Sequence, residues 1–346
     1  MDEARDLDLY FSDGNIVLSA SPHETSSEGD EQTFVITYFR VHQSILSKHS
    51  PVFKDMFAVA QPAEGLENRY NDLPLVYLHD DPTELKAFLQ TFYDPGFIPE
   101  DRYDPTYAAV MLGPVKLARK YQVETLLQKV VKRLTKEWPT DLEIYDRRRD
   151  EIQESFRWRR RKDKRNNEGH YARAFDALSL VKAGDLYHQL IPQLGTIYYE
   201  AYVACCREDI DKEVGPERLS EYRGLFHAQM ELRSMLYNFK FNPYRCPRGK
   251  HHDLGFQESF TMYSQQMFSR ECLFVTLKRF VYMIQSGEPF FSIKKACTHC
   301  FSDIESQVEA FRRQLFAELP RIFGAERCLS SFEWESSEDE ASEGDR

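Results

Sequence analysis

The sequence predicts two folded regions in series: an α+β domain, a small sheet with helical pairs, over residues 1–140, and an all-α domain over 171–330. Three observations carry this. Short runs of β-branched and aromatic residues fill the early part of the chain, and apolar residues recur at helical spacing from Leu85 onward. Both regions can bury a core, because the chain is 42% hydrophobic and its 25 Phe and 19 Tyr are spread along it. At roughly 100–200 residues per domain, a chain of 346 residues accommodates two domains.

Leu7-Asp8-Leu9-Tyr10-Phe11 alternates apolar and polar residues, and Asp13-Gly14 supplies turn chemistry before Ile16-Val17-Leu18, so a strand or hairpin starts here. Residues 19–32 are polar and acidic and read as a loop. A second strand is expected over Thr33–Val41. Ser50-Pro51 offers an N-cap hydroxyl and a proline at the first helical position, followed by Val52, Phe53, Met56 and Phe57 on one face. Leu75–Leu78 reads as a strand. Asp81-Pro82-Thr83-Glu84 resembles a capping box and opens a helix with Leu85, Phe88, Leu89 and Phe92 on one side. Asp104-Pro105 opens a further helix, which Gly113-Pro114 is expected to break or kink. The last helix of this region carries Val123, Leu126, Leu127, Val130 and Leu134, and Trp138-Pro139 ends it.

Apolar periodicity is lost over 146–168, so residues 141–170 are expected to form a basic linker. Helical patterns return with Leu178-Ser179-Leu180-Val181 and Cys272–Leu277, interrupted by polar stretches near 211–216, 242–255 and 286–289. Residues 331–346 form an acidic tail with seven acids in the last fourteen positions, a composition that predicts disorder.

The formal net charge of −11 opposes non-specific binding to nucleic acid. The chain has no apolar run of the ~18 residues that span a bilayer, and its start lacks the basic and apolar segments of a secretory signal. An intracellular location, cytoplasmic or nuclear, is therefore expected. Seven dispersed Cys do not suit a disulfide framework, which points to reduced thiols or a metal site.

The first region resembles a BTB/POZ domain. The residues that carry the likeness are Asp13–Leu18, then Phe39-Arg40-Val41-His42 with Leu46, Ser50, Val52-Phe53 and Met56-Phe57. Further on come Val76-Tyr77-Leu78, Asp80-Asp81-Pro82, Leu85, Phe88 and Tyr93, and finally Leu117–Val123 with Leu126, so the resemblance spans about 6–138. The whole chain is similar to fungal BTB proteins with a helical C-terminal region, through Ile191-Pro192, Tyr198-Tyr199 and Leu319–Gly324. The resemblance implies a non-enzymatic adaptor that dimerises and docks protein partners, such as a cullin ubiquitin-ligase scaffold or a transcriptional corepressor. The family's cullin-binding motif is not evident in Ala58–Glu64. Two departures from the family pattern are that about six residues precede the first strand and that Gly113-Pro114 interrupts a helix kept continuous elsewhere.

His42 near Ser44 and Ser50 lacks an elbow motif or a paired acid, and the matching His of the family is structural. Asp80-Asp81 is explained by helix capping rather than acid–base chemistry. The two basic clusters within Arg147–Arg165 suit an importin-type nuclear signal, a solvated helix with interleaved acids, or nucleic-acid contact by a DNA-associated regulator. Ser336, Ser337 and Ser342 each precede an acid by three residues, a pattern for an acidophilic kinase. Cys246 with His251 or His252, and Cys297 with Cys300, have the spacing of two ligand pairs for one structural Zn²⁺. His299 is an alternative ligand, and unremarkable buried thiols are the competing reading.

Overall fold

The computed structural model describes residues 2–21, 35–58, 69–101, 104, 106–162, 172–205, 223–242, 256–267, 273–286 and 298–323. The chain divides into two units, 1–134 with 176–189, and 135–175 with 190–346. The first boundary thus lies close to the expected end of the α+β domain. The segment 176–189, expected in the all-α domain, belongs to the first unit.

The sheet of the first unit contains β1 (Asp2–Tyr10), β2 (Ile16–Ala20), β3 (Val35–Val41), β4 (Arg69–Tyr70) and β5 (Leu73–Leu78), in the order β1-β3-β2-β5-β4. β3 lies between β1 and β2, antiparallel to β2 and parallel to β1. The Asp13-Gly14 turn therefore joins strands that are not neighbours, and the hairpin start becomes a crossover. Gly14 is required by close approach, because a Cβ there would lie 2.9 Å from the Arg40 side chain. β1 begins at Asp2, so the residues expected to precede the first strand belong to it. Ser19 and Ala20, read as the start of the acidic loop, are buried. They extend β2, which pairs on both sides, with β3 and with β5. Residues 22–34 of that loop lie outside the described residues. β4 and β5 form a hairpin whose two turn residues, Asn71 and Asp72, have φ of 49° and 64°, as a two-residue turn of this kind requires.

One face of the sheet packs on helices. Ile16, Leu18, Phe39, Val41 and Leu78 are buried, as are Leu46 of α1 (Gln43–His49) and Phe53 of α2 (Pro51–Ala58). The Ser50 hydroxyl caps α2 by accepting from Phe53 N (3.0 Å), and it donates to the Tyr121 carbonyl (2.6 Å). α3 (Pro82–Tyr93) begins as the sequence predicts, with the Asp81 carboxylate accepting from the backbone N–H of Thr83 (2.8 Å) and Glu84 (3.0 Å). The Glu84 carboxylate accepts from Lys116 Nζ (2.8 Å) on α4.

α4 (Tyr107–Lys120) runs through Gly113 and Pro114 without a break, against expectation. The proline's fixed φ suits a helix, and glycine before it removes the Cβ that its ring would press upon. A Cβ at Gly113 would stand 3.1–3.2 Å from Glu84, so the same glycine lets α3 and α4 pack closely. α5 (Glu124–Glu137) buries Leu126, Leu127, Val130 and Leu134. Segment 176–189 joins this unit through Gly184, whose Cβ would meet Val115 at 2.9 Å, and through the Arg119–Asp185 ion pair (2.9 Å).

The second unit begins with α6 (Leu142–Lys162), a helix of 21 residues over most of what was expected to be a linker. Leu142, Tyr145, Arg148 and Ile152 recur on one face and are buried, so the stripe is real although one member is charged. α7 (Ala172–Gly184) carries the chain between the units, and α8 (Ile191–Cys205), α9 (Arg223–Asn238), α10 (Phe256–Met267), α11 (Leu273–Ser286), α12 (Thr298–Ala317) and α13 (Leu319–Ile322) follow. Gly195 of α8 sits so close to α13 that a Cβ would come within 2.5 Å of Pro320 N. The core is aromatic, with Tyr145, Tyr199, Phe274 and Phe316 in mutual ring contact and a second group formed by Phe239, Phe260, Phe280 and Phe311. No helix among the described residues is long and apolar enough to cross a membrane. The tail, 331–346, lies outside the described residues.

Candidate interaction surface

Cross-strand register places Arg5, Tyr10, Val17, Ile36, Tyr38, Leu73, Leu75 and Tyr77 on the sheet face away from the buried Leu18 and Phe39. Val17, Tyr38 and Leu75 form a small cluster on that side, with Tyr10, Ile36, Tyr70 and Leu73 packed around it and partly exposed. Tyr38 and Tyr70 stack at 4.2 Å. The Arg5 guanidinium lies 5.2 Å from the Tyr10 ring centroid and 5.7 Å from that of Tyr70, and its Nε donates to Tyr70 OH (3.3 Å). Tyr77 is 55% exposed. Tyrosine and arginine on a flat apolar face are the residue types that anchor protein interfaces.

β1 forms the edge of this sheet, and its register with β3 slips between Arg5 and Tyr10. Five residues of β1 span what two residues of β3 span, so β1 bulges. The Asp6 carboxylate holds the bulge by accepting from the backbone N–H of Asp8 (3.0 Å) and Leu9 (3.0 Å). Lys86 of α3 grips it from below through Asp8 (2.7 Å) and Asp6 (3.0 Å), and these two bonds raise the lysine above its ordinary pKa. Leu9 turns inward and is buried, while Leu7 at the crest is 96% exposed. A fixed, protruding leucine beside an edge strand suits a partner surface, and the flanking charges discourage indiscriminate pairing.

Polar groups inside the domain hold this platform rather than perform chemistry. His42 N donates to Tyr93 OH (3.0 Å), the His42 ring lies 3.3 Å from the same hydroxyl, and its Nε2 is 3.4 Å from Asp13. Burial raises the Tyr93 phenol above its ordinary pKa, against the donation from His42. Asp80, read only as a neighbour of the cap, is buried and accepts from Lys120 Nζ (2.6 Å) and Tyr121 OH. Burial first, and then the Asp80 carboxylate, push Tyr121 far above the ordinary 10.0. A phenol raised on folding stabilises in full below the unfolded value, and that contribution is lost as pH rises above about 10. In a spectrophotometric titration, Tyr121 is therefore expected to ionise only as the first unit unfolds. Tyr121→Phe should remove one such late phenolate; an unchanged late phase would contradict the assignment.

Of the first basic cluster, Arg148 is buried with its guanidinium 4.5 Å from the Trp138 ring centroid. Arg149 pairs with the buried Glu200 (2.6 Å), which also accepts from Tyr145 OH. These two arginines are core residues, so the two-cluster spacing does not describe a continuous exposed basic surface. Of the zinc candidates, Cys246, His251, His252 and Cys297 lie outside the described residues, while Cys300 is buried in the first turn of α12. Among the described residues alone, no three His, Cys, Asp or Glu side chains gather as a metal site. The expected region of the cullin motif is likewise outside them, except for Ala58.

The sequence reading missed Leu7 and the tyrosine face. The alternation at Leu73, Leu75 and Tyr77 could have disclosed the second, which runs at the period of a strand face; nothing local marked the bulge. A family model described as BTB/POZ domain matches residues 32–137. No curated protein and no solved structure matches the chain.

Proposed function

Residues 32–137 of this chain are a BTB/POZ domain, a protein-interaction module, and from that premise we propose a non-enzymatic adaptor that pairs with a second copy through the β1 edge and the adjoining tyrosine face. The observation that carries the reading is Leu7, held out at 96% exposure on a bulge fixed by Asp6, Asp8 and Lys86. Burying one such side chain contributes about 1.5–3 kcal/mol per copy. The outer edge of β1 adds backbone donors and acceptors that a second strand can use. Pairing would leave the second, helical unit to recruit a cullin scaffold for ubiquitin-ligase work or a corepressor for transcription regulation.

Sedimentation of the full chain at tens of micromolar is expected to show twice the 40.8 kDa protomer mass. Leu7→Asp should weaken dimerisation tenfold or more, corresponding to at least ~1.4 kcal/mol, without loss of helical signal, because the side chain packs on nothing in the protomer. A wild-type monomer would overturn self-association. A dimer indifferent to Leu7→Asp and Tyr77→Asp would overturn this face as its site. Binding of purified cullin N-terminal repeats or corepressor peptides to the dimer then separates the two recruitment roles.

A further inference from the structure

We propose that Cys246, Cys297, Cys300 and one of His251 and His252 hold a single structural Zn²⁺ in the second unit, a site independent of the adaptor surface. In the sequence the two ligand pairs lie far apart, from Cys246 to Cys297, and only a tertiary contact can unite them. The structure supplies that contact. Beyond the end of α9, Phe239 stacks on Phe311 of α12 at 4.2 Å. Three residues on, Asn242 N donates to Gln307 Oε1 (2.7 Å), and Gln307 Nε2 returns a bond to the Asn242 carbonyl (3.4 Å). Gln257 of α10 fixes the stretch between by accepting from Phe241 N (2.9 Å) and donating to the Phe239 carbonyl (2.9 Å).

These contacts also set a direction. As the chain advances from Phe239 to Asn242, its partner on α12 moves back from Phe311 to Gln307, toward the helix start where Cys300 lies. Gln307 and Cys300 are seven residues apart, two turns, so they share one helix face about 10.5 Å apart along the axis. Cys246 follows Asn242 by four residues, a reach of up to about 13–14 Å, which covers that distance. His251 and His252 follow within six residues, and Cys297 precedes α12 by one. His299 is exposed, with its ring nitrogen near the Thr298 hydroxyl (3.4 Å), whereas Cys300 is buried.

Three thiolates and one imidazole complete a tetrahedral, closed shell of the kind Zn²⁺ takes in structural sites, with no position left for water. The ion would tie the chain after α9 to the start of α12, and metal binding would be coupled to the folding of that region.

Elemental analysis of the full chain, purified reduced and without chelator, is expected to find about one zinc per chain. The Cys246→Ser variant and the double variant Cys297→Ser with Cys300→Ser should each fall below a tenth of that, while Cys328→Ser keeps it. Because a variant can lose metal by misfolding, the wild-type protein reloaded with Co²⁺ provides a second readout, a thiolate-to-cobalt charge-transfer absorption with the intense visible bands of tetrahedral coordination. Wild-type protein with less than a tenth of an equivalent of zinc overturns the proposal. So does a cobalt spectrum without thiolate charge transfer, or zinc content unchanged in the double cysteine variant.

Discussion

Arg312→Ala is expected to destabilise the second unit by about 3–5 kcal/mol, the range for breaking a buried ion pair from one side. The Arg312 guanidinium is 3% exposed and makes a two-pronged contact with the Asp146 carboxylate at 2.8 and 2.9 Å. It also donates to Glu309 (2.7 Å) and to the Phe274 carbonyl (3.2 Å), so one side chain ties α6, α11 and α12 together. Burial acts to lower its pKa, but Asp146 and Glu309 more than offset this, and the group is held above its ordinary value. Without it Asp146 retains only Lys278, at 3.8 Å and half exposed, a partner that water screens. Arg312→Lys keeps the charge but not the fork and should fall between. All three tryptophans, Trp138, Trp158 and Trp334, belong to the second unit, so tryptophan emission during urea unfolding of the full chain reports on it alone. A loss below about 1 kcal/mol would show the pair to be dispensable.

Asp80→Ala is the corresponding test of the BTB/POZ unit and should cost about 2–4 kcal/mol, the sum of a lost charged hydrogen bond and a buried hydroxyl left unsatisfied. The effect centres on Tyr121, whose ring stacks on Phe53 at 4.4 Å and whose carbonyl receives the Ser50 hydroxyl that caps α2. Lys120 contributes little, because its side chain is 47% exposed. Asp80→Asn, which keeps an acceptor for the phenol, should therefore cost much less than Asp80→Ala. Combining Asp80→Ala with Tyr121→Phe should cost less than the two added, with a coupling of about 1 kcal/mol or more. Amide hydrogen exchange over α2 and α4 of the full chain measures each, and strict additivity would place the bond outside the energetics of the fold.

Much of the first unit was legible locally. The Asp81-Pro82 start of α3, the Ser50 cap of α2 and the apolar stripe of α5 need only a few neighbouring residues to operate, and each stands where its residues indicated. Gly113-Pro114 misled because its local meaning is a breaker. Its meaning here comes from Glu84, some thirty residues earlier in the chain, against which only glycine fits. Arg148 and Arg149 misled in the same way, since a charged run in sequence looks solvated until Trp138 and Glu200 are seen to receive it. In the proposed interaction surface, Tyr77 lay in a run already read as a strand, but Leu7 gained its exposure from a slip in the register of β1 on β3.

By itself the sequence determined where helices start and stop, which strands exist, and the family of the first region, because caps, turns and side-chain periodicity act over a few residues of backbone. The tertiary structure alone decided the strand order β1-β3-β2-β5-β4, the passage of 176–189 into the first unit, the burial of Arg148, Glu200 and Arg312, and the approach of Asn242 to α12. Each of these joins residues distant in the chain. A charge or a glycine at such a position is favourable only once its partner has arrived, and no local preference records which partner that will be.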